Sequence, residues 1–220
     1  MKAMLHTDDV LRARLRPIGS TDNATWILPI ALQIIVFGSV YGCIMGSFGG
    51  ARPLQMLYSA VKVPLLLIAT FAISLPSYFV ISTLIGLRND IAASTRAIIA
   101  TQAGLSAVLC SMAPFTLLWY ISFNDYQAAI VFNLVLFATS SLVAQHLLRS
   151  LYHPLIEANH RHRLMMWIWL TIYGFVGVQM AWVLRPFVGN AETPTTFFRQ
   201  GAWGNAYTEL ARTFSGLIGG

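Results

Sequence analysis

Five long stretches without Asp, Glu, Lys or Arg dominate this sequence. They run approximately over Ala24 to Gly49, Val63 to Leu87, Ala97 to Ile121, Gln127 to Leu148 and Leu164 to Leu184. A helix needs about 20 apolar residues to cross a hydrocarbon core of roughly 30 Å. Each stretch meets that length, so the sequence predicts an all-α, polytopic bundle of five transmembrane helices.

The composition excludes a water-soluble domain. Only 10% of the 220 residues are charged and 56% are apolar, whereas about 25% of a soluble domain is charged. The 14 basic residues are scattered and the chain has two cysteines, which argues against a nucleic-acid-binding tail and against a disulfide scaffold. The partners expected are the lipid bilayer and either other membrane protein subunits or further copies of the chain, with no nucleic acid.

The distribution of Lys and Arg predicts the orientation. Nine of these residues fall on the side of the N-terminus and five on the opposite side. Because cytoplasmic segments collect basic residues, we expect the N-terminus inside and the C-terminus outside. The chain then divides into a cytoplasmic segment (1–23), the five-helix bundle (24–184) and an exterior tail (185–220). We expect it in a bacterial cytoplasmic (inner) membrane.

Short amphipathic segments flank the spans. Arg12, Arg14 and Arg16 lie in a short predicted helix before the first span, and basic residues of this kind bind anionic membrane surfaces. A solvated helix that contacts a neighbouring protein is the alternative. We expect a similar interfacial helix over Leu54 to Val61, and an aromatic tail from Arg185 to Gly220 on the exterior interface.

Glycines recur every four residues in the first span, at Gly38, Gly42, Gly46 and Gly50. This spacing lets a second helix backbone approach closely in lipid, where hydrophobicity does not drive helices together. We therefore predict a helix-packing groove. Packing within the subunit is the first interpretation, and a subunit interface or a pore element are the alternatives. Small residues of the third and fifth spans, such as Ala103, are candidates for the facing helix.

Prolines and amides are predicted inside the spans. Pro76 and Pro114 should kink the second and third helices, because each removes a backbone hydrogen bond. A kinked, serine-lined helix is also compatible with a transport path. Five amides are expected to be buried and to form hydrogen bonds between helices, or to line a polar cavity: Gln33, Gln102, Asn133, Gln145 and Gln179.

Residues suited to chemistry are concentrated between the fourth and fifth spans. Helical spacing places His153, Glu157 and His160 on one face, where they are the candidates for a metal site. A basic interfacial loop explains the same residues without a ligand. The spans contain no Asp, Glu, Lys or Arg, which disfavours a proton-coupled transporter. We expect no cofactor, no metal and no catalytic residue.

The sequence resembles the Yip1 family of small five-span membrane proteins, including its bacterial members. The residues that carry the resemblance are Lys62 to Leu67, Pro76 to Tyr78, Leu84 to Leu87 and Ala113 to Phe115. It covers roughly residues 25 to 184. The resemblance implies a non-enzymatic membrane adaptor or organiser that binds other proteins.

These observations predict an accessory, scaffold or assembly subunit of a larger membrane complex. A permease or channel subunit for a neutral or lipid-like substrate is the first alternative, with a path beside Pro76 and Pro114. A membrane-embedded enzyme that uses the histidine loop is the second.

Overall fold

The computed structural model describes residues 27–50, 52–189, 194–199 and 202–208. These residues form α1 (Ile27–Met45), α2 (Pro53–Leu84), a short 3-10 helix (Arg88–Asp90), α3 (Ile91–Ser122), α4 (Tyr126–Ala158) and α5 (Arg161–Leu184). All five α-helices are long and apolar enough to cross a membrane. The predicted all-α class and the number of spans are therefore confirmed. The predicted basic helix with Arg12, Arg14 and Arg16 lies outside the described residues.

The connections between helices follow from local sequence. Gly49 and Gly50 after α1, and Gly86 after α2, have positive φ angles, which glycine adopts without steric cost. Pro53 is the first residue of α2, where the missing N–H is not needed. The Asp125 side chain accepts hydrogen bonds from the backbone N–H groups of Gln127 and Ala128 and caps α4. These short connections make helices that are consecutive in the chain antiparallel.

The helices pack as a ring in the order α1, α3, α4, α5 and α2. We call the end where α1 leads into α2 the Gly49 end, and the end where α2 leads into α3 the Gly86 end. One apolar cluster extends to the Gly49 end and includes Tyr41 and Phe48. A second, which includes Tyr152 and Trp169, lies at the Gly86 end.

Leu54 to Val61 do not form the separate helix that was expected from the sequence. These residues are the first turns of α2, which runs without interruption from Pro53. Lys62, assigned from the sequence to an exterior connection, lies inside α2 with none of its surface exposed. Tertiary contacts explain why these turns are helical and buried. Their polar residues Gln55, Ser59 and Lys62 donate hydrogen bonds to the chain that follows α5.

The tail after α5 returns along the bundle. The Gln179 side chain donates to the Gly204 carbonyl oxygen at 3.1 Å and accepts from the Ala206 N–H at 3.0 Å. The Tyr207 ring stacks on Phe175 with 4.4 Å between centroids. Since Phe175 precedes the end of α5 by two and a half turns, the tail descends about 14 Å along this helix.

Candidate functional site

Gly38 and Gly42 of α1, and Gly46 directly after this helix, face the backbone of α2. A Cβ atom on Gly46 would lie 2.9 Å from the Gln55 carbonyl oxygen, and one on Gly38 would lie 3.3 Å from the Pro64 nitrogen. A Cβ atom on Gly42 would collide with the Ser59 carbonyl oxygen. Real Cβ atoms essentially never approach as closely as those at Gly42 and Gly46 would, so this end of α1 can lie so near α2 only with glycine at these two positions.

The fourth glycine of the predicted groove behaves differently. Gly50 lies beyond the end of α1 with a φ of +114°, and a Cβ atom there would meet no neighbouring atom within 4 Å. The facing helix is α2, whereas small residues in the third and fifth spans were the expected partners. The sequence pattern therefore indicated a close approach but not the helix that makes it.

A polar row on α2 holds the chain after α5. The Ser59 hydroxyl donates to the Phe187 carbonyl oxygen at 2.5 Å, and the Gln55 amide donates to the same oxygen at 3.4 Å. The Lys62 ammonium donates to the Pro186 carbonyl oxygen at 2.6 Å. Because these carbonyls follow the end of a helix, they need donors from elsewhere, and the row supplies them.

Asn133 joins three helices near the Gly49 end. Its side-chain oxygen accepts from the Tyr41 hydroxyl of α1 at 2.9 Å, and its amide donates to the Tyr120 hydroxyl of α3 at 2.7 Å. Tyr120 in turn donates to the Met45 carbonyl oxygen at 3.3 Å. Asn133 is 1% exposed and Tyr41 is fully buried, whereas Tyr120 is half-buried, so the network reaches from the interior toward the surface.

The other four predicted amides differ in their surroundings. Gln102 is buried and accepts from the Tyr173 hydroxyl at 2.7 Å. Gln33 donates to the Ala103 carbonyl oxygen at 3.3 Å. Gln179 binds the tail and Gln145 is half-buried. The amides therefore connect different pairs of elements and do not converge on one cavity.

The two predicted proline positions lie inside continuous helices. Pro76 is an exposed residue of α2 and Pro114 an exposed residue of α3. A third proline, Pro64, is buried in α2 against Gly38. The prolines at 76 and 114 therefore face the surroundings of the bundle rather than its centre.

A row of hydroxyls lies along the buried face of α2 at Thr70, Ser74, Tyr78 and Ser82, each no more than 1% exposed. Tyr78 shares a hydrogen bond of 2.7 Å with the Tyr152 hydroxyl. The other three hydroxyls have no hydrogen-bond partner among the described residues. Buried hydroxyls of this kind commonly bind internal water.

The histidine loop is open to its surroundings. His153 Nδ1 lies 3.5 Å from Glu157 Oε1, and the two side chains are 70% and 69% exposed. His160 is an exposed residue that immediately precedes α5. Over residues 27–50, 52–189, 194–199 and 202–208, no three His, Cys, Asp or Glu side chains are grouped so that they could hold a metal. The three candidate ligands are thus reduced to one exposed pair.

Sequence reasoning missed His162 as an interior residue. Its Nε2 atom lies 3.1 Å from Asp90 Oδ2, and the His162 side chain is 1% exposed. This contact ties α5 to the connection between α2 and α3. The two residues are 72 positions apart, so no local pattern signals the pair. Lys62 was missed as an interior residue as well, because a single charge between two apolar runs was assigned to an exterior connection.

An apolar cleft of about 170 Å³ opens between α1, α2 and α3. Ile27, Leu67, Phe71 and Ile99 are among its lining residues, and Gln102 is the polar one. Such walls suit an acyl chain better than a charged solute.

Comparison with protein-family models, curated proteins and solved structures finds no match to this chain.

Proposed function

We propose that this integral membrane protein is a non-enzymatic accessory, scaffold or assembly subunit of a larger membrane complex. The observation that carries the proposal is how the interior polar groups are used. Asn133, Gln102 and Lys62 bind partners on other elements of the same chain. Groups engaged in this way rigidify a bundle, and a rigid bundle is suited to presenting fixed surfaces to other proteins.

The proposed contact surfaces are the aromatic tail along α5 and the basic N-terminal segment. The glycine face of α1 is occupied by α2, so this groove is not the contact surface of our proposal. Phe198 and Trp203 of the tail are 42% and 81% exposed, and aromatic residues of this kind are enriched in protein interfaces. The basic segment with Arg12, Arg14 and Arg16 is the proposed surface at the other side of the membrane.

The finer parts of the proposal follow from the sequence. Nine basic residues against five support an orientation with the N-terminus inside. A bacterial inner membrane and membership of the Yip1 family belong to the same proposal. Both are consistent with five short-looped spans, and a scaffold role requires neither of them.

Affinity purification in mild detergent tests the scaffold proposal. We expect membrane proteins, or further copies of the chain, to co-purify in a fixed ratio. Trp203→Ser should reduce this recovery several-fold, because it removes an exposed indole from the proposed contact surface. Phe123→Ser is the matched control, since Phe123 is also aromatic, half exposed and at the Gly49 end. Recovery of a monomer without partners from native membranes would contradict the proposal.

A permease or channel subunit is the second candidate, and the hydroxyl row on α2 is the observation that favours it. A path for a neutral substrate requires polar groups that are free to bind it, and Ser74 Oγ has no partner among the described residues. This candidate predicts that water reaches Ser74 from at least one side of the membrane.

Cysteine labelling separates the two candidates. Cys43 and Cys110 are free thiols and are first replaced by alanine. On the scaffold proposal, Ser74→Cys should be as unreactive toward a water-soluble maleimide as Leu67→Cys, a buried apolar control on the same helix. Rapid labelling of the Ser74 variant alone would favour the permease and count against the scaffold.

A further inference from the structure

Two arginines meet on one tryptophan where the tail packs on α5. The guanidinium carbon of Arg185 lies 3.5 Å from the centroid of the Trp182 ring. The guanidinium carbon of Arg199 lies 4.4 Å from the same centroid. Arginine stacks on aromatic rings and keeps the edges of its guanidinium group for hydrogen bonds. The indole therefore holds two forked cationic donors close together.

Several donors of this cluster lack an acceptor. Nε and Nη2 of Arg185, Nε of Arg199 and Nε1 of Trp182 are buried and have no hydrogen-bond partner among the described residues. All four are N–H groups, so each lacks an oxygen acceptor and none lacks a donor. Buried donors without acceptors are rare in proteins because they cost free energy. A ligand with several oxygen atoms would therefore supply the acceptors that these donors lack.

The charges around the cluster have one sign. Lys62 donates to the carbonyl oxygen of Pro186, the residue next to Arg185, and lies 5.0 Å from the Phe197 ring centroid. Burial, together with the neighbouring charge of Arg199, lowers the pKa of Arg185 from its usual value. Among the described residues, Asp125 is the carboxylate at this end of the bundle, and it accepts hydrogen bonds from two backbone N–H groups of α4. Arg185 and Arg199 therefore lie together, with Lys62 bound to the adjacent Pro186, where the described residues supply no carboxylate to pair with them.

The geometry points to an anion site in which Arg185 and Arg199 bind the oxygens of one phosphate group at the Gly49 end of the bundle. Phosphate matches the forked arrangement of guanidinium donors and accepts several hydrogen bonds at once. Both arginines are half-buried, so part of each side chain reaches the surface beside the buried donors. Lipid headgroups bring phosphate to the depth at which a transmembrane helix ends, and free phosphate is the other source of the same chemistry.

Thermal unfolding of the full chain in a neutral detergent tests the site. One arm titrates a short-chain phosphatidylglycerol, a second titrates phosphatidylcholine with the same chains, and a third titrates inorganic phosphate. We expect the phosphatidylglycerol to raise the unfolding temperature at concentrations roughly tenfold lower than phosphatidylcholine does, since the latter carries no net charge. An equal response to inorganic phosphate would identify the free anion as a ligand of the same site.

Substitutions show whether the response comes from this cluster. Arg185→Gln and Arg199→Gln should each weaken the phosphatidylglycerol response roughly tenfold, as expected for the loss of charged hydrogen bonds. Arg199→Lys keeps the charge and should retain part of the response if the glutamine variants fold poorly. Arg163→Gln is the control, because Arg163 is an exposed cation at the opposite end of α5, and it should respond like the wild type.

Two results would overturn the site. The first is a wild-type protein whose stability responds to none of the three additives, or responds equally after Arg185→Gln and Arg199→Gln. The second is a response that appears only after Glu192→Gln, which would show that a carboxylate of the tail already serves as the counter-ion. Glu192 lies outside the described residues and is the nearest acidic residue in sequence to both arginines.

Discussion

Gly42→Ala is expected to lower the free energy of unfolding by about 1 to 3 kcal/mol, the usual cost of forcing an extra group into a closely packed interior. The added methyl would collide with the Ser59 carbonyl oxygen and would lie 2.8 Å from the Ser59 carbonyl carbon. Both are backbone atoms of α2 and cannot move aside as a side chain can. Unfolding by sodium dodecyl sulfate in mixed micelles, followed by tryptophan fluorescence, measures the loss.

Gly174→Ala is the matched control for this prediction. Gly174 is a helical residue of α5 with no atom within 4 Å of the position that a Cβ would take. The same methyl group should therefore be neutral there, or stabilising by up to about 1 kcal/mol through helix propensity. Equal effects at the two positions would mean that the backbones of α1 and α2 are not in contact at Gly42.

Asn133→Leu is expected to destabilise the protein by about 1 to 3 kcal/mol. The change leaves the hydroxyl of Tyr41 without its acceptor and removes the Asn133 amide that donates to Tyr120. Hydrogen bonds between membrane helices average about 0.6 kcal/mol and reach about 1.7 kcal/mol, and Asn133 makes two of them. The same unfolding measurement applies, with Gln145→Leu as a control at a half-buried amide of the same helix.

A double-mutant cycle tests the Asn133 network more directly. Tyr41→Phe removes the hydroxyl that donates to Asn133, so the loss caused by Asn133→Leu should be smaller in that background. The difference measures the coupling between the two side chains. Additive effects of the two substitutions would show that Tyr41 and Asn133 do not interact, whatever the individual losses are.

The helices themselves were predictable because lipid imposes a simple requirement. A chain crosses a hydrocarbon core only with an apolar surface and an internally hydrogen-bonded backbone. Charge-free runs of about 20 residues are apolar and long enough to cross as helices. The start of α2 was not predictable on this basis. In the sequence, Gln55, Ser59 and Lys62 look like residues of a polar connection. They can be helical and buried because their side chains donate hydrogen bonds to the carbonyl oxygens of residues 186 and 187.

The candidate sites, too, were only partly predictable from the sequence. Glycine spacing indicated a close contact, but the identity of α2 as the partner depends on the short connection at Gly49 and on the shape of the whole ring. Burial of Asn133 followed from its place in an apolar run, whereas its two tyrosine partners lie on other helices. No local sequence pattern predicts that Arg185 and Arg199 meet on Trp182, because Arg199 contacts α5 only after the tail has turned back.

The attachment of the tail to α2 also sets an order of events during synthesis. Ser59 precedes its acceptor in the chain by 128 residues and Lys62 precedes its acceptor by 124. The first turns of the second helix therefore leave the ribosome long before the groups that satisfy them exist. Until the fifth helix has been inserted, an ammonium group and a hydroxyl must keep their hydration, so synthesis has to pass residue 187 before this corner of the protein can close.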